Sequence, residues 1–562
     1  MMSMRALASM ALGVASVVGG MALVTPRGAV AVAAQAADLD QLIAQVGKYK
    51  LGESRAALEA VAQQVVKAQL DPAARSAIAN KLAAMLKGEA TADAKEFACR
   101  QLLIIAGPEQ VPALAALLAD EKLAHMGRHV LEGMADPAAD AALREALRRG
   151  LVTEADIDRA VRRLFEARFR LGMFDPEERV PWARLSPAVV HCPAHRELAR
   201  TMARESMVLL KNAGNLLPLD PARLRKIAVI GPAALDFRVL LGNYHGYSGS
   251  MTTLFEGLVE AVSPGTAVEY AKGCDLVGGK PPDPKGIAWV TSGADVIIAI
   301  LGYGPELEGE EGETTDSEFV LGGDRRRLHL PGHQQKLLEM LQATGRPVVL
   351  VLTGGSPVEI GWAQQHIPAI LAVFYPGEEG GHALADVLFG RYNPAGRLPF
   401  TVPASLDQLP DFEDYRMRGR TYRFMEAPPL YRFGYGLSYT TFQYRNLRVT
   451  PAVSRGTAPI EVTVAVANTG PRAGDEVVQL YVADLVASVP VPRHHLEGVR
   501  RIHLAAGEVR EVCFQLLPEQ LMAYDDNGGA FLEPGDFRLA VGGGQPDDPD
   551  SGALSAVLRI TG

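Results

Sequence analysis

Hydrophobic and polar residues follow three different patterns along the chain, and each predicts a different kind of structure. From about residue 38 to residue 149, apolar residues recur at helical spacing. Between residues 205 and 440, short continuous apolar runs alternate with helical segments, as in a parallel sheet covered on both faces. Beyond Phe442, apolar residues occupy every second position, which is typical of antiparallel strands. We therefore expect a multidomain protein with an all-α segment, an α/β doubly wound domain and an all-β sandwich.

The first segment consists of Ala- and Leu-rich helices separated by short breaks. The breaks fall at Asp71-Pro72, Gly107-Pro108 and Asp136-Pro137, because proline ends one helix and readily starts the next. The predicted helices are 56–68, 73–86, 92–105, 110–119 and 138–149.

A weak internal repeat runs through this segment. Three residue pairs share an offset of 29 residues: Pro108/Pro137, Leu114/Leu143 and Leu118/Leu147. The pattern resembles HEAT-like helical pairs, which stack into a short solenoid and usually bind a partner. Helices that simply pack against the next domain are an equally good explanation.

The central region contains four buried-strand runs, at 226–230, 294–301, 347–352 and 369–375. Helical patterns at 252–262, 332–343 and 382–388 lie between or after them. In open α/β sheets of this kind, ligands bind outside the carboxyl ends of the strands. In the last region, Ile460, Val462, Val464 and Val466 alternate with polar residues before the turn at 468–470, and Val478, Leu480 and Val482 follow on the next predicted strand.

Residues 1–36 have the pattern of an export signal. Arg5 provides a basic start, residues 6–24 are apolar and uncharged, and Ala34-Gln-Ala36 fits a small-residue cleavage site. The apolar run is long enough to remain as a membrane anchor instead, but its Ala and Gly content favours cleavage. We expect an exported protein, periplasmic or extracellular, without membrane attachment after cleavage.

Composition excludes some functions. The 562 residues include 56 basic and 65 acidic side chains, a net charge of −9, which argues against a nucleic-acid partner. The cysteines, Cys99, Cys192, Cys274 and Cys513, lack metal or redox spacing, and free thiols are favoured over two disulfides. No metal site is predicted.

An acidic loop, 301–331, follows the second strand run of the central region. Glu306, Glu308, Glu310 and Glu311 fall within six residues, and Asp324-Arg325 lies near its end. A run of this kind is usually a solvated surface loop. Its position at the carboxyl end of a predicted strand makes it a candidate site instead.

The motifs around this loop resemble the C-terminal half of glycoside hydrolase family 3, which contains β-glucosidases and β-xylosidases. They are Ala203-Arg-Glu-Ser-Met-Val-Leu-Leu-Lys-Asn212, Lys226-Ile-Ala-Val-Ile-Gly-Pro232, Tyr375-Pro-Gly-Glu-Glu-Gly-Gly381, Gly396-Arg-Leu-Pro399 and Phe433-Gly-Tyr-Gly-Leu-Ser-Tyr-Thr440. The form LEGEE followed by GGDR, with Gly419-Arg-Thr-Tyr-Arg423 downstream, is most similar to the β-xylosidases. The resemblance implies that the β-sandwich is a fibronectin type III-like domain.

The resemblance also implies roles for residues of the acidic loop. Retaining glycosidases use two carboxyl groups, one as nucleophile and one as general acid/base. In this family the acid/base is a glutamate on the acidic loop, and the match makes Glu308 the first choice and Glu310 the runner-up. Neighbouring carboxylates would raise the pKa of such a group toward the working pH. No cofactor is implied, because two carboxylates suffice for this chemistry.

The family's nucleophile is an aspartate on a (β/α)₈ barrel, followed by Trp. None of Trp182, Trp289 and Trp362 follows an aspartate. Residues 151–175 resemble the last helix of that barrel, with Ile157, Val161, Leu164 and Phe165 on one stripe. Residues 37–175 are too few for a barrel of about 250 residues. We therefore expect the barrel and its nucleophile to be missing from this sequence.

The expected domains are a signal at 1–36, a helical repeat at 37–150, a barrel remnant and linker at 151–204, the α/β domain at 205–440 and the fibronectin type III-like sandwich at 441–562. Three functional hypotheses remain open: an enzyme completed by a barrel-bearing protein or protomer, a non-catalytic carbohydrate-binding or scaffold protein, and a rearranged gene. The expected substrate is an oligosaccharide or aryl β-glycoside with a terminal β-linked xylose or glucose.

Overall fold

The computed structural model describes residues 39–151, 153–309, 320–321 and 324–561. The chain forms two compact units, one ending at Leu185 and the other beginning at Ser186. The export signal predicted at 1–36 lies outside the described residues. Within the described ranges, no helix is both long and apolar enough to cross a membrane.

The first unit is helical throughout its described residues. Its helices are α1 (Leu39–Val46), α2 (Ala56–Ala68), α3 (Pro72–Lys87), α4 (Ala92–Ile105), α5 (Val111–Leu117), α6 (Ala124–Gly133), α7 (Pro137–Arg148) and α8 (Glu154–Arg170). The predicted breaks act as helix caps: the Asp71 side chain accepts hydrogen bonds from the amides of Ala73 and Ala74, and Asp136 accepts one from Ala138. Capping satisfies amides that have no partner inside the helix.

The core of the first unit lies between helices α1 to α7. Val61, Leu82, Leu102, Leu114 and Leu131 are fully buried within it. The helical prediction is confirmed. The HEAT-like repeat remains a prediction, because the two proposed repeat units begin differently: Pro108 starts a single 3₁₀ turn, whereas Pro137 starts α7 directly.

Helix α8 carries the predicted apolar stripe, and that stripe faces solvent. Ile157, Val161, Leu164, Phe165 and Phe169 are all exposed, Phe169 by 63%. The Phe165 ring also stacks on Phe174, with centroids 5.7 Å apart. Exposed apolar patches on a folded protein commonly mark an interaction surface.

The second unit begins with a six-stranded sheet in the order β1-β8-β7-β4-β2-β3. Its strands are β1 (Val208–Asn212), β2 (Lys226–Ile230), β3 (Ala267–Ala271), β4 (Val296–Gly302), β7 (Val348–Thr353) and β8 (Ala369–Phe374); a short hairpin, β5 (Val320–Leu321) with β6 (Asp324–Arg325), follows β4. The surrounding helices are α9 (Pro193–Ser206), α10 (Leu254–Ala261), α11 (Pro284–Thr291), α12 (Gln334–Gln342), α13 (Gly361–His366), α14 (Gly380–Leu388) and α15 (Thr421–Phe424). All pairs in the large sheet are parallel except β1 with β8.

The apolar runs of this sheet are continuous because both faces are covered. On β4, Ile297 and Ala299 belong to one core, while Val296, Ile298 and Ile300 belong to the core on the opposite face. Successive side chains of a strand point to opposite sides, so a strand buried on both sides has no polar positions to alternate. The α/β prediction is confirmed.

The remaining strands form two antiparallel layers, apart from one short parallel pair and one separate two-stranded hairpin. They are β9 (Phe442–Thr450), β10 (Val453–Ser454), β11 (Ile460–Asn468), β12 (Gly474–Asp484), β13 (His495–Leu504), β14 (Val509–Leu516), β15 (Ala523–Tyr524), β16 (Ala530–Phe531), β17 (Gly535–Gly542) and β18 (Leu554–Ile560). One sheet has the order β10-β18-β17-β12-β13 and the other β14-β11-β9. The alternating residues predicted on β11 and β12 are buried between the layers, which confirms the all-β prediction.

The four cysteines lie within the described residues and are free thiols. Cys99 and Cys274 are buried, and burial raises the pKa of the Cys99 thiol to about 12 and that of Cys274 to about 11. Both thiols are therefore protonated and unreactive at neutral pH.

A buried ion pair joins the α/β domain to the β-sandwich. Arg397 Nη2 lies 3.0 Å from Glu476 Oε1, and the Tyr444 hydroxyl donates to the same oxygen at 3.0 Å. The Arg397 and Glu476 side chains are only 10% and 4% exposed.

We expect Glu476→Gln to lower the free energy of unfolding by about 3 kcal/mol, because it leaves the buried Arg397 charge without its counterion. Urea denaturation measures the change. Glu511→Gln is the matched control, since the Glu511–Arg448 pair is exposed and its loss should cost at most about 1 kcal/mol. Equal losses in the two variants would contradict the importance of the buried pair.

A second ionic cluster ties α10 to α14 and is sensitive to pH. His382 Nε2 lies 2.9 Å from Glu260 Oε2, and Nδ1 contacts Glu379; Arg196 Nε donates to Glu379 at 2.6 Å. Burial opposes the charge of His382, but its hydrogen bonds to Glu379 and Glu260 outweigh burial and raise the pKa. Burial likewise opposes the Glu379 charge, and its bonds with His382 and Arg196 lower the pKa of that carboxyl.

The signs of these two shifts predict a window of greatest stability. The His382 contribution is complete below the ordinary histidine pKa of about 6.5 and is lost as pH rises through the raised folded pKa. The Glu379 contribution is present above the ordinary glutamate pKa of about 4.3 and is lost as pH falls through the lowered folded pKa. We expect His382→Asn to destabilise the protein at about pH 6 and to differ little from wild type at about pH 9. Urea midpoints across this range test it, with the exposed His503→Asn as control; a His382→Asn effect that is independent of pH would contradict it.

Candidate active site

The loop after β4 begins at the carboxyl edge of the parallel sheet, between the ends of β4, β7 and β8. Gly302 ends β4 with φ +135°, and a Cβ at this position would lie 2.1 Å from the carbonyl oxygen of Thr353 at the end of β7. Only glycine therefore allows the two strand ends to approach this closely. The chain then continues through a 3₁₀ turn at Pro305–Leu307 to Glu308.

The carboxylate of Glu308 is held by four donors from three other segments. Oε2 accepts the backbone amide of Gly355 at 2.6 Å and the hydroxyl of Tyr375. Oε1 accepts the hydroxyl of Ser356 and Nη1 of Arg325 at 3.1 Å. The Glu308 side chain is 10% exposed and that of Arg325 9%. This donor set suits a buried carboxylate anion, which is stable only when it is paired and hydrogen-bonded.

Arg325 is itself fixed in position. Its guanidinium carbon lies 3.8 Å from the centre of the Tyr303 ring, a cation–π contact. Nη2 donates to the carbonyl oxygen of Arg327 at 3.2 Å, and Nη1 also donates to Ser356. The Tyr303 hydroxyl donates to the carbonyl oxygen of His329 at 2.6 Å. These contacts therefore hold the Arg325 guanidinium in a fixed position beside Glu308.

Burial raises the pKa of Tyr375 well above its ordinary value, and the charge of Glu308 raises it further. Burial also raises the pKa of Tyr303. Both phenols therefore keep their protons at neutral pH, and the Tyr375 O–H acts as the donor to Glu308.

The structure places the predicted acidic residues in different surroundings. Glu306 is partly exposed and lies 4.0 Å from Arg238, while Glu308 is surrounded by donors. The crowd of carboxylates expected in this loop stays a prediction, because two of its members are not described. Glu310 and Glu311 lie outside the described residues.

The segment 242–246 contacts this loop. Asn243 Nδ2 donates to the backbone carbonyl of Glu308 at 2.7 Å. Tyr244 and Tyr247 beside it are 79% and 74% exposed. The Asn243 side chain thus helps to hold the backbone at Glu308 in place.

Sequence reasoning did not assign roles to Arg325, Ser356 and Tyr375. Arg325 and Tyr375 belong to quoted motifs; Tyr375 ends one predicted strand and Ser356 follows another. Because parallel strands end at the same edge of a sheet, that position is the signal that could have identified them. Among the described residues, no group of three or more His, Cys, Asp or Glu side chains is arranged to hold a metal ion.

Comparison with known proteins agrees with this architecture. Residues 207–439 match the glycosyl hydrolase family 3 C-terminal domain, and residues 476–545 match a fibronectin type III-like domain. A β-xylosidase of Formosa agariphila is 36% identical over 406 residues, which are 70% of this chain and 54% of the relative. A periplasmic β-glucosidase of Salmonella typhimurium is 33% identical over 446 residues, 73% of this chain and 57% of the relative. The chain therefore spans about half the length of the curated relatives it matches.

Solved structures give the same result. A β-glucosidase from Erythrobacter marinus superposes with a TM-score of 0.63 at 32% identity, over 80% of this chain and 62% of that one. A family 3 exo-β-xylosidase superposes with a TM-score of 0.65 at 26% identity, over 80% of this chain and 60% of that one.

The second unit is thus a doubly wound α/β domain joined to a β-sandwich, with a glutamate held by four donors at the strand ends. The matches make the assignment specific: this chain contains the C-terminal domain of glycoside hydrolase family 3 and the fibronectin type III-like domain that follows it. The resemblance inferred from sequence is confirmed for these two domains.

We expect Glu308→Gln to lower the free energy of unfolding by about 1.5–3 kcal/mol, because an amide nitrogen would replace one acceptor oxygen and face a donor. Thermal and urea unfolding of the variant measure the change. Glu306→Gln is the control. Its effect on the free energy of unfolding should be below about 0.5 kcal/mol, because Glu306 is partly exposed and its distance from Arg238, 4.0 Å, makes a weak ion pair. A Glu308→Gln protein as stable as wild type would mean that the donor set is not needed for folding.

Proposed function

We propose that this chain supplies the acid/base half of a retaining β-glycosidase active site, which releases terminal β-linked xylose or glucose from oligosaccharides or aryl glycosides. Support comes from the family 3 domains and from relatives that are a β-xylosidase and a periplasmic β-glucosidase. The observation that carries the proposal is the anchoring of the acidic loop by Glu308 at the carboxyl edge of the sheet, where α/β domains bind ligands.

The contacts of Glu308 bear on which glutamate transfers the proton. A general acid must carry a proton and reach the glycosidic oxygen within hydrogen-bond distance. Both oxygens of Glu308 already accept two donors each, and one donor is a guanidinium. We therefore assign Glu308 to anchoring the loop and the runner-up, Glu310, to the acid/base role.

The nucleophile belongs to the same proposal. The described residues of the first unit, 39–151 and 153–185, form helices and turns without a strand, so they do not build a barrel. We propose that the aspartate comes from a barrel-bearing protein or protomer. The exposed apolar stripe on α8 supports this, because burying Ile157, Val161 and Phe165 against a partner would be favourable.

Export follows from the pattern of residues 1–36 and agrees with a periplasmic relative.

The acid/base assignment predicts a dependence on the leaving group. We expect Glu310→Gln to slow hydrolysis of alkyl β-xylosides by about 10²–10⁴-fold, since these leaving groups need a proton. Hydrolysis of dinitrophenyl β-xyloside, whose leaving group needs none, should be nearly unchanged in its first step. Steady-state and burst kinetics on both substrates measure this, with azide rescue of Glu310→Gln as a second readout.

Glu308→Gln serves as the matched variant in the same assays. An anchoring residue should slow both substrates equally, and azide should not restore activity. The opposite pattern, in which Glu308→Gln spares only the good leaving group, would return the acid/base role to Glu308. A folded chain that hydrolyses neither substrate, alone or mixed with a family 3 barrel, would favour the non-catalytic carbohydrate-binding or scaffold alternative.

A further inference from the structure

A groove of about 500 Å³ lies within the first unit, between helices α6, α7 and α8. This volume falls within the range of about 300–1,000 Å³ that is typical of small-molecule sites. The described residues that line the groove fall between Leu118 and Val161, so neither the family 3 domain nor the fibronectin type III-like domain contributes to it. The proposed glycosidase chemistry does not use it.

Two walls of the groove are aliphatic. In its described lining, helices α7 and α8 contribute only Leu, Ile, Val and Ala side chains: Leu143, Ala146, Leu147, Ile157, Ala160 and Val161. The described lining residues include no aromatic ring and no hydroxyl group. Walls of this kind favour an apolar ligand. Because they offer no flat aromatic face, they suit a flexible aliphatic chain better than a planar ring.

The third wall, formed by α6, carries the polar lining residues His125, Arg128 and Glu132. Arg128 Nε lies 3.6 Å from Glu132 Oε1, and the two side chains are 53% and 54% exposed. An exposed pair at this distance is weak, so Arg128 can exchange Glu132 for another carboxylate at little cost. The planar guanidinium suits a carboxylate, and the His125 imidazole supplies a further N–H donor. This edge of the groove therefore favours an anionic group.

Helix α8 buries none of its described side chains. It has 17 residues, and its described side chains are exposed apart from Arg168, which is half-buried. Ile157 and Val161, which line the groove, are 40% and 44% exposed. In proteins most of the stability of a helix comes from packing of its apolar face. An aliphatic chain in the groove would cover this face and so stabilise α8 against α6 and α7.

We propose that the groove binds an aliphatic carboxylate, such as a medium-chain fatty acid, with its chain between α7 and α8 and its carboxylate at Arg128. The inference does not rest on the proposed glycosidase function. The proposed barrel-bearing partner would also bury Ile157 and Val161, so the ligand and that partner would compete for the first turns of α8.

The probe is dodecanoate, added to the full chain below its micellar concentration, and isothermal titration calorimetry measures the dissociation constant. We expect binding and a higher thermal midpoint, since a ligand that binds only the folded state stabilises it. Dodecanol, which lacks the charge, and dodecyltrimethylammonium, which reverses it, should each bind at least about tenfold more weakly. Equal binding of the three probes would overturn the carboxylate assignment, and failure of dodecanoate to bind would overturn the whole proposal.

A pair of tryptophan variants tests the position of the ligand. Ala160→Trp fills the groove from an exposed position on α8, so the fold should tolerate it. It should weaken dodecanoate binding at least about tenfold. Ala155→Trp, the same change at an exposed residue of α8 that does not line the groove, is the matched control and should leave the dissociation constant unchanged. Binding that survives Ala160→Trp, or that both variants abolish, would overturn the assignment of this groove.

Charge variants test the position of the carboxylate. Arg128→Gln should weaken dodecanoate binding about tenfold and leave dodecanol binding unchanged. Glu132→Gln should strengthen dodecanoate binding, because it removes the carboxylate that competes for Arg128. Arg148→Gln, at a 72% exposed arginine that does not line the groove, is the control. Equal losses in Arg128→Gln and Arg148→Gln would show a non-specific charge effect and overturn the assignment of the head group.

Sedimentation velocity of the same variants tests a second copy of the chain as the occupant. We expect one oligomeric state in wild type, Ala160→Trp and Ala155→Trp. A dimer that only Ala160→Trp dissociates, together with no dodecanoate binding, would assign the groove to a chain–chain interface and overturn the proposal. None of these measurements uses glycoside hydrolysis, so failure of the proposed function and failure of this inference are distinguishable.

Discussion

The ion pair between Glu308 and Arg325 organises the functional end of the α/β domain. A carboxylate that is 10% exposed needs donors, and they come from the chain after β7, from the end of β8 and from β6. These segments are separated in sequence by up to 67 residues. One buried charge therefore fixes the relative positions of three strand ends and of the loop between them. The glycines at these ends are required because the backbones approach too closely for a side chain.

The same constraint bears on the acidic motif. LEGEE presents several chemically identical side chains within a few residues, and the motif alone does not rank them. The structure describes one of them, Glu308, which is saturated with donors, whereas Glu306 just before the motif is partly exposed beside Arg238. A carboxylate that holds a loop in place and one that exchanges a proton with substrate have opposite requirements for their surroundings.

The pattern of apolar residues along the chain predicted most of the helices and strands. The features that it missed depend on contacts between residues far apart in the sequence. The run Lys226–Ile230 was predicted at its observed bounds, because a strand covered on both faces is apolar at every position. The antiparallel strand β1 was missed, since Lys211 and Asn212 end a run of only four apolar residues, Met207 to Leu210. The partners of Glu308 were not predictable individually, because Ser356 and Tyr375 reach it only after three strands have paired. In the helical unit, Asp136 could be identified as a cap from its position before Pro137, but a repeat depends on packing that a 29-residue offset does not define.

The buried pair of Arg397 and Glu476 has a consequence for how the second unit comes apart. Separation of the sandwich from the α/β domain would expose two charges that now satisfy each other, together with Gln479, whose amide donates to Gly434 in the preceding domain. Partial unfolding at this boundary would thus add the loss of this pair to the cost of opening either domain. The pair therefore couples the stability of the sandwich to that of the α/β domain, so that loosening one domain weakens the other.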